Sequence, residues 1–124
     1  MIDVEARNEM FDSVIANRGG TFAFDGRPVS PSSGYAVSLE GFEVKVPVKG
    51  ISPPNLANLV NQLVAKVEGL ADPSTHFVGM WIDKGNLYVD LSVLVEDKVQ
   101  AVSKGIAQSQ LAIWDFANDE SISL

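Results

Sequence analysis

Apolar residues recur with two different periods between Phe42 and Phe116. Apolar and polar residues alternate from Phe42 to Val48, which is the period of a half-buried strand. After Ser52, which suits a helix cap, and Pro53, which suits a first helical position, the period becomes that of a helix. The apolar positions of this helix are Leu56, Leu59, Val60, Leu63, Val64, Val67 and Leu70. The pattern therefore predicts a strand followed by an amphipathic helix.

Two β-prone segments, His76 to Ile82 and Leu87 to Val95, follow the helix and predict a hairpin. The residues between them are Asp83-Lys84-Gly85-Asn86, in which Gly and Asn tolerate the positive φ of hairpin turns. A third helix is expected to begin at Glu96-Asp97, and Leu111 to Phe116 to form a closing strand. The tail, residues 117–124, either adds a short edge strand or frays.

The segment before Phe42 predicts a helix and a second hairpin. Asp3 is a candidate cap for a helix that ends near Asn17. Two short β-prone runs follow, Thr21 to Asp25 and Tyr35 to Leu39, and we expect them to extend the main sheet as a hairpin. The intervening loop, residues 26–34, is rich in Gly, Pro and Ser and is long enough to carry a binding function.

The order of elements predicts an α+β fold. Residues 42–116 read as two β-α-β units joined by a hairpin, the ferredoxin-like βαββαβ arrangement, with both helices on one sheet face. Residues 1–41 would be an N-terminal extension of a single domain spanning 1–124. Pro47 argues against a regular central strand because proline cannot donate to a ladder. The first core strand should therefore end near Val46 or lie at an edge.

Composition describes an ordinary globular chain. Of the 124 residues, 46% are hydrophobic and 20% charged, which indicates neither disorder nor a membrane protein. The longest apolar runs are far shorter than the roughly 18 residues of a spanning helix, so we expect a cytoplasmic protein without a membrane partner. The absence of cysteine excludes disulfides, thiolate metal sites and thiol nucleophiles.

The net charge of −7 disfavours direct binding to nucleic acid, which depends on clustered cations. A basic protein partner, such as a nucleic-acid-binding host protein, fits the charge better. The alternative is that the acidic surplus only keeps the protein in solution.

The sequence predicts no catalytic residue, cofactor or metal site. His76 is the single histidine and has no nucleophile signature around it. Asp83, Asp90 or Asp115 could act as acid and base only if they converged in a pocket. The acidic tail lacks the turn glycine of a calcium loop, and no phosphate-binding glycine motif occurs.

The sheet face away from the helices is the most promising surface. By alternation it carries Glu43, Lys45, Tyr88, Asp90 and Ser92, with Trp81 or Trp114 as further members. Its mixed, net acidic character disfavours RNA. The tryptophans are either core residues or anchors for a protein partner. The candidate protein-binding residues are Tyr35, Trp81, Tyr88, Asp90, Trp114 and Asp115.

Two short motifs carry a resemblance. Ser33-Gly34-Tyr35-Ala36-Val37 and Gln110-Leu111-Ala112-Ile113-Trp114-Asp115 resemble segments of small uncharacterised proteins encoded by phages and mobile elements of actinobacteria. The resemblance implies a protein that acts inside a bacterium. By analogy it implies an inhibitor of a host nucleic-acid-handling defence complex, and it transfers no functional residue.

These observations favour a non-catalytic accessory or inhibitory protein that binds another protein. One alternative is a small-molecule-binding protein or a small enzyme that uses the loop 26–34. A second alternative is a structural protein that self-associates through an open sheet edge.

Overall fold

The computed structural model describes residues 2–124, which form three helices and a curled seven-stranded antiparallel sheet. The helices are α1 (Val4–Asn17), α2 (Pro53–Val67) and α3 (Lys98–Ala107). The strands are β1 (Gly19–Phe22), β2 (Tyr35–Ser38), β3 (Val44–Pro47), β4 (His76–Asp83), β5 (Asn86–Val95), β6 (Ala112–Asp115) and β7 (Glu120–Ser123). This confirms the predicted α+β class. Across residues 2–124, every helix is too short or too polar to cross a bilayer.

Each helix begins at a side chain that accepts a hydrogen bond from a backbone N–H of its first turn. The accepting oxygens belong to Asp3 in α1, 2.7 Å from the Ala6 nitrogen, and Ser52 in α2, 3.3 Å from the Asn55 nitrogen. In α3 the Asp97 carboxylate lies 2.9 Å from the Gln100 nitrogen. The predicted Asp3 and Ser52 caps are confirmed, and the caps fix where each helix starts.

Replacing Asp97 by alanine should lower the free energy of unfolding by about 1 kcal/mol, because a first-turn N–H of α3 loses its acceptor. Urea denaturation of the purified protein measures this change. Asp97→Asn is the matched control: asparagine is also a good cap, so most of the stability should remain. Equal losses in both variants would contradict a capping role.

Strand β5 is the centre of the sheet. On one side it pairs with β4. On its other side it pairs with β3 at its start and with β2 at its end, so that Val44 lies opposite Val89 and Ser38 opposite Ser92. β1 lies outside β4, while β6 and β7 extend the sheet beyond β2. The tail therefore adds an edge strand, which was one of its two predicted outcomes.

The prediction of a hairpin in the N-terminal segment was wrong. β1 pairs with β4 and β2 pairs with β5 and β6, so the two short strands lie on opposite sides of the β4–β5 pair. Residues 23–34 are long enough to carry the chain across the sheet. The side chain of Phe22, fully buried opposite Val78, fixes β1 in this position.

Pro47 is the last residue of β3, opposite Asn86 beside the hairpin turn. Backbone pairing continues past it, because the Val48 N–H donates to the Gly85 carbonyl oxygen at 3.0 Å. In residues 2–124 β3 pairs with β5 alone, so Pro47 lies in an edge strand, which was one of its two predicted positions.

The helices cover one face of the sheet and bury two apolar clusters. Under α1 and α2 the main sheet residues are Phe22, Val78, Met80, Leu87, Val89 and Leu91. Under α3 the cluster is formed by Val37, Ala101 and Ile113, with Val93 and Val95 packed against it. Because strand side chains alternate, the intervening residues of the same strands face away from the helices.

Candidate functional site

The sheet face opposite the helices curls around a concavity of about 1200 Å³. Its floor consists of alternate residues from four strands, and we call this set the concave face. The members are Ala36, Ser38, Gly79, Trp81, Tyr88, Asp90, Ser92, Ala112 and Trp114. Residues 28–31 of the predicted long loop, residues 17–21 and residues 109–111 contribute to its walls. The concavity therefore gathers segments that are distant in sequence.

One end of the concave face is an aromatic pair. Trp81 and Tyr88 are opposite each other in the β4–β5 register, and their rings stack with centroids 4.6 Å apart at 27°. The Lys45 ammonium lies 5.9 Å from the centroid of the Tyr88 ring, within the range of a cation–π contact. Trp81 is nonetheless 47% exposed. This end therefore offers an apolar surface on which part of the stacked Trp81 side chain is exposed.

The other end of the concave face carries Trp114, which pairs with Ala36 and is 37% exposed. Ala36 also pairs with Leu94, six residues along β5 from Tyr88. At a rise of about 3.3 Å per residue, the two aromatic ends lie roughly 20 Å apart along the strand. The concave face is therefore elongated.

Asp90 lies between the aromatic ends and is only 6% exposed. The Ser38 hydroxyl donates to its Oδ2 at 2.9 Å, and the Ser92 hydroxyl donates to its Oδ1 at 3.0 Å. Burial is the main cause that raises the pKa of Asp90 to about 6, and the negative charge of Glu43 acts in the same direction. The two serine hydrogen bonds act in the opposite direction and lower the pKa. Asp90 is thus a buried carboxylate that is mostly ionised at neutral pH.

Gly79 provides the space that this carboxylate occupies. It pairs with Asp90 across the β4–β5 ladder, and a Cβ at position 79 would lie 2.5 Å from Asp90 Oδ1 and 3.1 Å from Ser92 Oγ. The sequence pattern did not predict the roles of Ser38 and Gly79. The available signal was a lone glycine inside an apolar strand, which indicates close approach by a neighbouring group.

Comparison of the chain with protein-family models, curated proteins and solved structures found no match. The resemblance to phage and mobile-element proteins therefore stays a prediction.

The structure places four of the six candidate residues on the concave face: Trp81, Tyr88, Asp90 and Trp114. Tyr35 and Asp115 pair with each other on the helix-covered face instead. Hydrogen bonds from the side chain and backbone of Asn118, together with one from the Ala117 backbone, hold the pKa of Asp115 below its ordinary value. Asp115 therefore shapes the turn between β6 and β7.

His76 is the first residue of β4, directly after the turn that precedes the strand. Its Nδ1 lies 3.0 Å from the Thr75 hydroxyl and 3.1 Å from the Asp72 carbonyl oxygen, and it does not line the concavity. Within residues 2–124, no group of three or more His, Asp or Glu side chains is placed to hold a metal ion.

The charge around the concavity is mostly negative. Glu40, Glu43, Asp90 and Asp119 contribute to its lining, against Arg18 in the lining and Lys45 beside the Tyr88 ring. Aromatic rings provide contact area at both ends, and a buried acceptor lies between them. This arrangement is suited to holding a partner that carries positive charge.

Proposed function

We propose that this chain is a non-catalytic accessory or inhibitory protein that holds an extended segment of a partner protein on its concave face. The observation that carries the proposal is the pair of exposed aromatic ends, which contain Trp81 and Trp114, on either side of the buried Asp90. Tryptophan and tyrosine are the residues that most often dominate protein interfaces. An extended segment of about six residues spans roughly 20 Å.

The charge of the molecule supports a protein partner over nucleic acid. The whole chain carries −7, and acidic residues outnumber basic ones around the concavity. Phosphates would be repelled, whereas a basic protein would be attracted. Together with the resemblance to phage and mobile-element proteins, this favours a basic host protein, such as a component of a nucleic-acid-handling defence complex.

A small-molecule-binding protein, or a small enzyme, is the second candidate. Pro28, Val29, Ser30 and Pro31 of the loop 26–34 form part of the concavity wall, and Asp90 lies on its floor. However, about 1200 Å³ exceeds the roughly 300–1,000 Å³ of most small-molecule sites. The size of the concavity thus favours a longer ligand. A small molecule that raises the Tm of the wild type but not of Trp81→Ala would favour the second candidate.

Self-association is supported by open strand edges: in residues 2–124, β7 ends the sheet on one side, and β3 pairs with β5 alone. Unpaired strand edges can recruit a further strand. A mass that rises with protein concentration, measured by light scattering, would favour this alternative.

The ferredoxin-like arrangement is proposed in a modified form. β2 and β3 run in succession beside β5, and β6 pairs with β2. Taken together, β2 and β3 occupy the position of the first strand of a βαββαβ sheet, with residues 39–43 interrupting it.

Replacing Trp81 or Trp114 by alanine should reduce retention of the partner about tenfold, because each change removes an exposed aromatic contact. Pull-down from host lysate at moderate salt, quantified by mass spectrometry, measures retention. Leu70→Ala is the matched control, since Leu70 is 82% exposed just after α2 and away from the concave face. Equal retention by all variants would count against the concave face.

A further inference from the structure

We propose that the partner segment places a lysine or arginine side chain against Asp90. This inference rests on the proposed function, because it specifies the chemistry of the partner that the concave face holds. It is carried by the burial of the Asp90 carboxylate, by its hydrogen-bond partners and by the charges around it.

The hydrogen bonds to Asp90 leave its charge uncompensated. Both donors, Ser38 and Ser92, are neutral hydroxyls, and each uses one acceptor position on the carboxylate. An ionised carboxylate offers about four acceptor positions, so further donors can bind. In residues 2–124 the one ion pair within 4 Å joins Arg27 to Asp25, so Asp90 has no cationic partner of its own.

The groups around Asp90 also favour an incoming cation. Two uncharged residues lie beside it: Gly79 faces it from β4, and Tyr88 precedes it on the same face of β5. Glu43, just before β3, adds a negative charge that disfavours ionisation of Asp90. The nearby Lys45 lies against the Tyr88 ring. A partner cation would relieve this unfavourable charge, since a buried carboxylate is stabilised by a paired and hydrogen-bonded cation.

The aromatic pair favours arginine among the possible cations. A guanidinium can stack on a tryptophan or tyrosine ring while its N–H groups bind a carboxylate. Trp81 pairs with Tyr88, two residues from Asp90 along β5, so ring and carboxylate lie on the same face. A stretched arginine side chain is long enough to use both.

Acidification should weaken the interaction. Because burial raises the pKa of Asp90 to about 6, most of the carboxylate is protonated at pH 5 and nearly all of it is ionised at pH 8. A cationic side chain then loses its counter-charge at the lower pH. The serine donors Ser38 and Ser92 do not titrate in this range.

A displayed library of random eight-residue peptides, selected separately on the wild type, Asp90→Asn and Trp81→Ala proteins, tests the inference. We expect peptides selected on the wild type to be enriched at least tenfold in lysine or arginine at one position relative to those selected on Asp90→Asn. A selected arginine peptide without histidine should lose at least tenfold affinity when its arginine is replaced by citrulline. When the pH falls from 8 to 5 it should lose up to about tenfold, which is the limit for a carboxylate with a pKa of about 6. The citrulline comparison uses only wild-type protein and does not depend on how a variant folds.

The outcomes separate this inference from the proposed function. Some peptides could bind the wild type equally well with arginine or citrulline but lose affinity for Trp81→Ala. That result would overturn the role of Asp90 and keep the concave face as the binding surface. Peptides that bind wild type, Asp90→Asn and Trp81→Ala alike would count against both. Cation-dependent binding that persists in Asp90→Asn would also overturn the inference.

Discussion

Replacing Asp90 by asparagine should raise the free energy of unfolding at pH 8 by up to about 3 kcal/mol. The pKa of Asp90 is about 6 in the folded protein, against an ordinary value of 3.8. Each pKa unit corresponds to about 1.4 kcal/mol, so the ionised carboxylate destabilises the folded state by about 3 kcal/mol above pH 6. Asparagine keeps the shape and one acceptor oxygen, and it removes the charge.

The gain should depend on pH in a defined direction. Between pH 3.8 and about 6 the folded state binds more protons than the unfolded state, so this group makes the wild type less stable as the pH rises through that window. At pH 4 the wild type and Asp90→Asn should therefore have similar stability. Urea denaturation at pH 4, 6 and 8 measures the difference. A gain of equal size at every pH would contradict a charge effect.

Asp115→Asn provides a control of opposite sign. Both aspartates are little exposed, but hydrogen bonds from Asn118 and Ala117 lower the pKa of Asp115. Its carboxylate therefore stabilises the fold above its unfolded pKa, and that contribution is lost as the pH falls through the folded pKa. Asp115→Asn should destabilise the protein at pH 8, where Asp90→Asn stabilises it.

Replacing Gly79 by alanine should lower the free energy of unfolding by about 2 to 3 kcal/mol. The new Cβ would lie 2.5 Å from Asp90 Oδ1, so the carboxylate must move away from the serine hydroxyls or the strands must separate. Forcing extra atoms into a packed site typically costs about 1–3 kcal/mol, and disturbed hydrogen bonds add to this. Urea denaturation of the variant measures the loss.

A double-mutant cycle tests whether this loss arises at Asp90. The Gly79→Ala, Asp90→Ala double variant lacks the obstructing carboxylate. In it, the alanine at position 79 should lower the free energy of unfolding by at least about 1 kcal/mol less than Gly79→Ala does alone. Residues in contact typically show coupling energies of about 0.5–3 kcal/mol. Additive effects would show that Gly79 is required for a reason other than the space it leaves for Asp90.

The local elements of the fold could be predicted because their signals are local. The hairpin between β4 and β5 was predicted from Gly85 and Asn86. In the structure the positive φ falls on Lys84 (50°) and Gly85 (78°), and Asn86 is the first residue of β5. Strand alternation correctly placed Tyr88 and Asp90 on the face away from the helices. These features depend on the backbone preferences of a few neighbouring residues.

The partners of β1 and β2 could not be predicted in the same way. A short β-prone run does not identify the strand it pairs with, and the loop 26–34 permits either a hairpin or a crossing of the sheet. Tyr35 was assigned to the binding surface, yet the register with Val95 turns it toward the helices. A shift of one residue moves every side chain to the opposite face, so such residues depend on register.

The buried state of Asp90 depends on tertiary structure. Its sequence neighbours Val89 and Leu91 indicate a strand, but its burial needs the curl of the sheet and the serine that β2 brings beside it. Gly79, from the neighbouring strand, completes the site. Contacts between residues far apart in sequence, such as Ser38 and Asp90, leave no local pattern.

Site-specific photo-crosslinking in the cells that produce the protein tests most directly whether the concave face binds a partner. A benzophenone amino acid is placed at position 81 or 114 on the concave face. The matched controls carry it at position 70, exposed just after α2, or at position 99, exposed on α3. We expect one discrete adduct of the protein from positions 81 and 114 and none from positions 70 and 99. Adducts from positions 70 and 99 alone would contradict this prediction and move the binding surface to the helices.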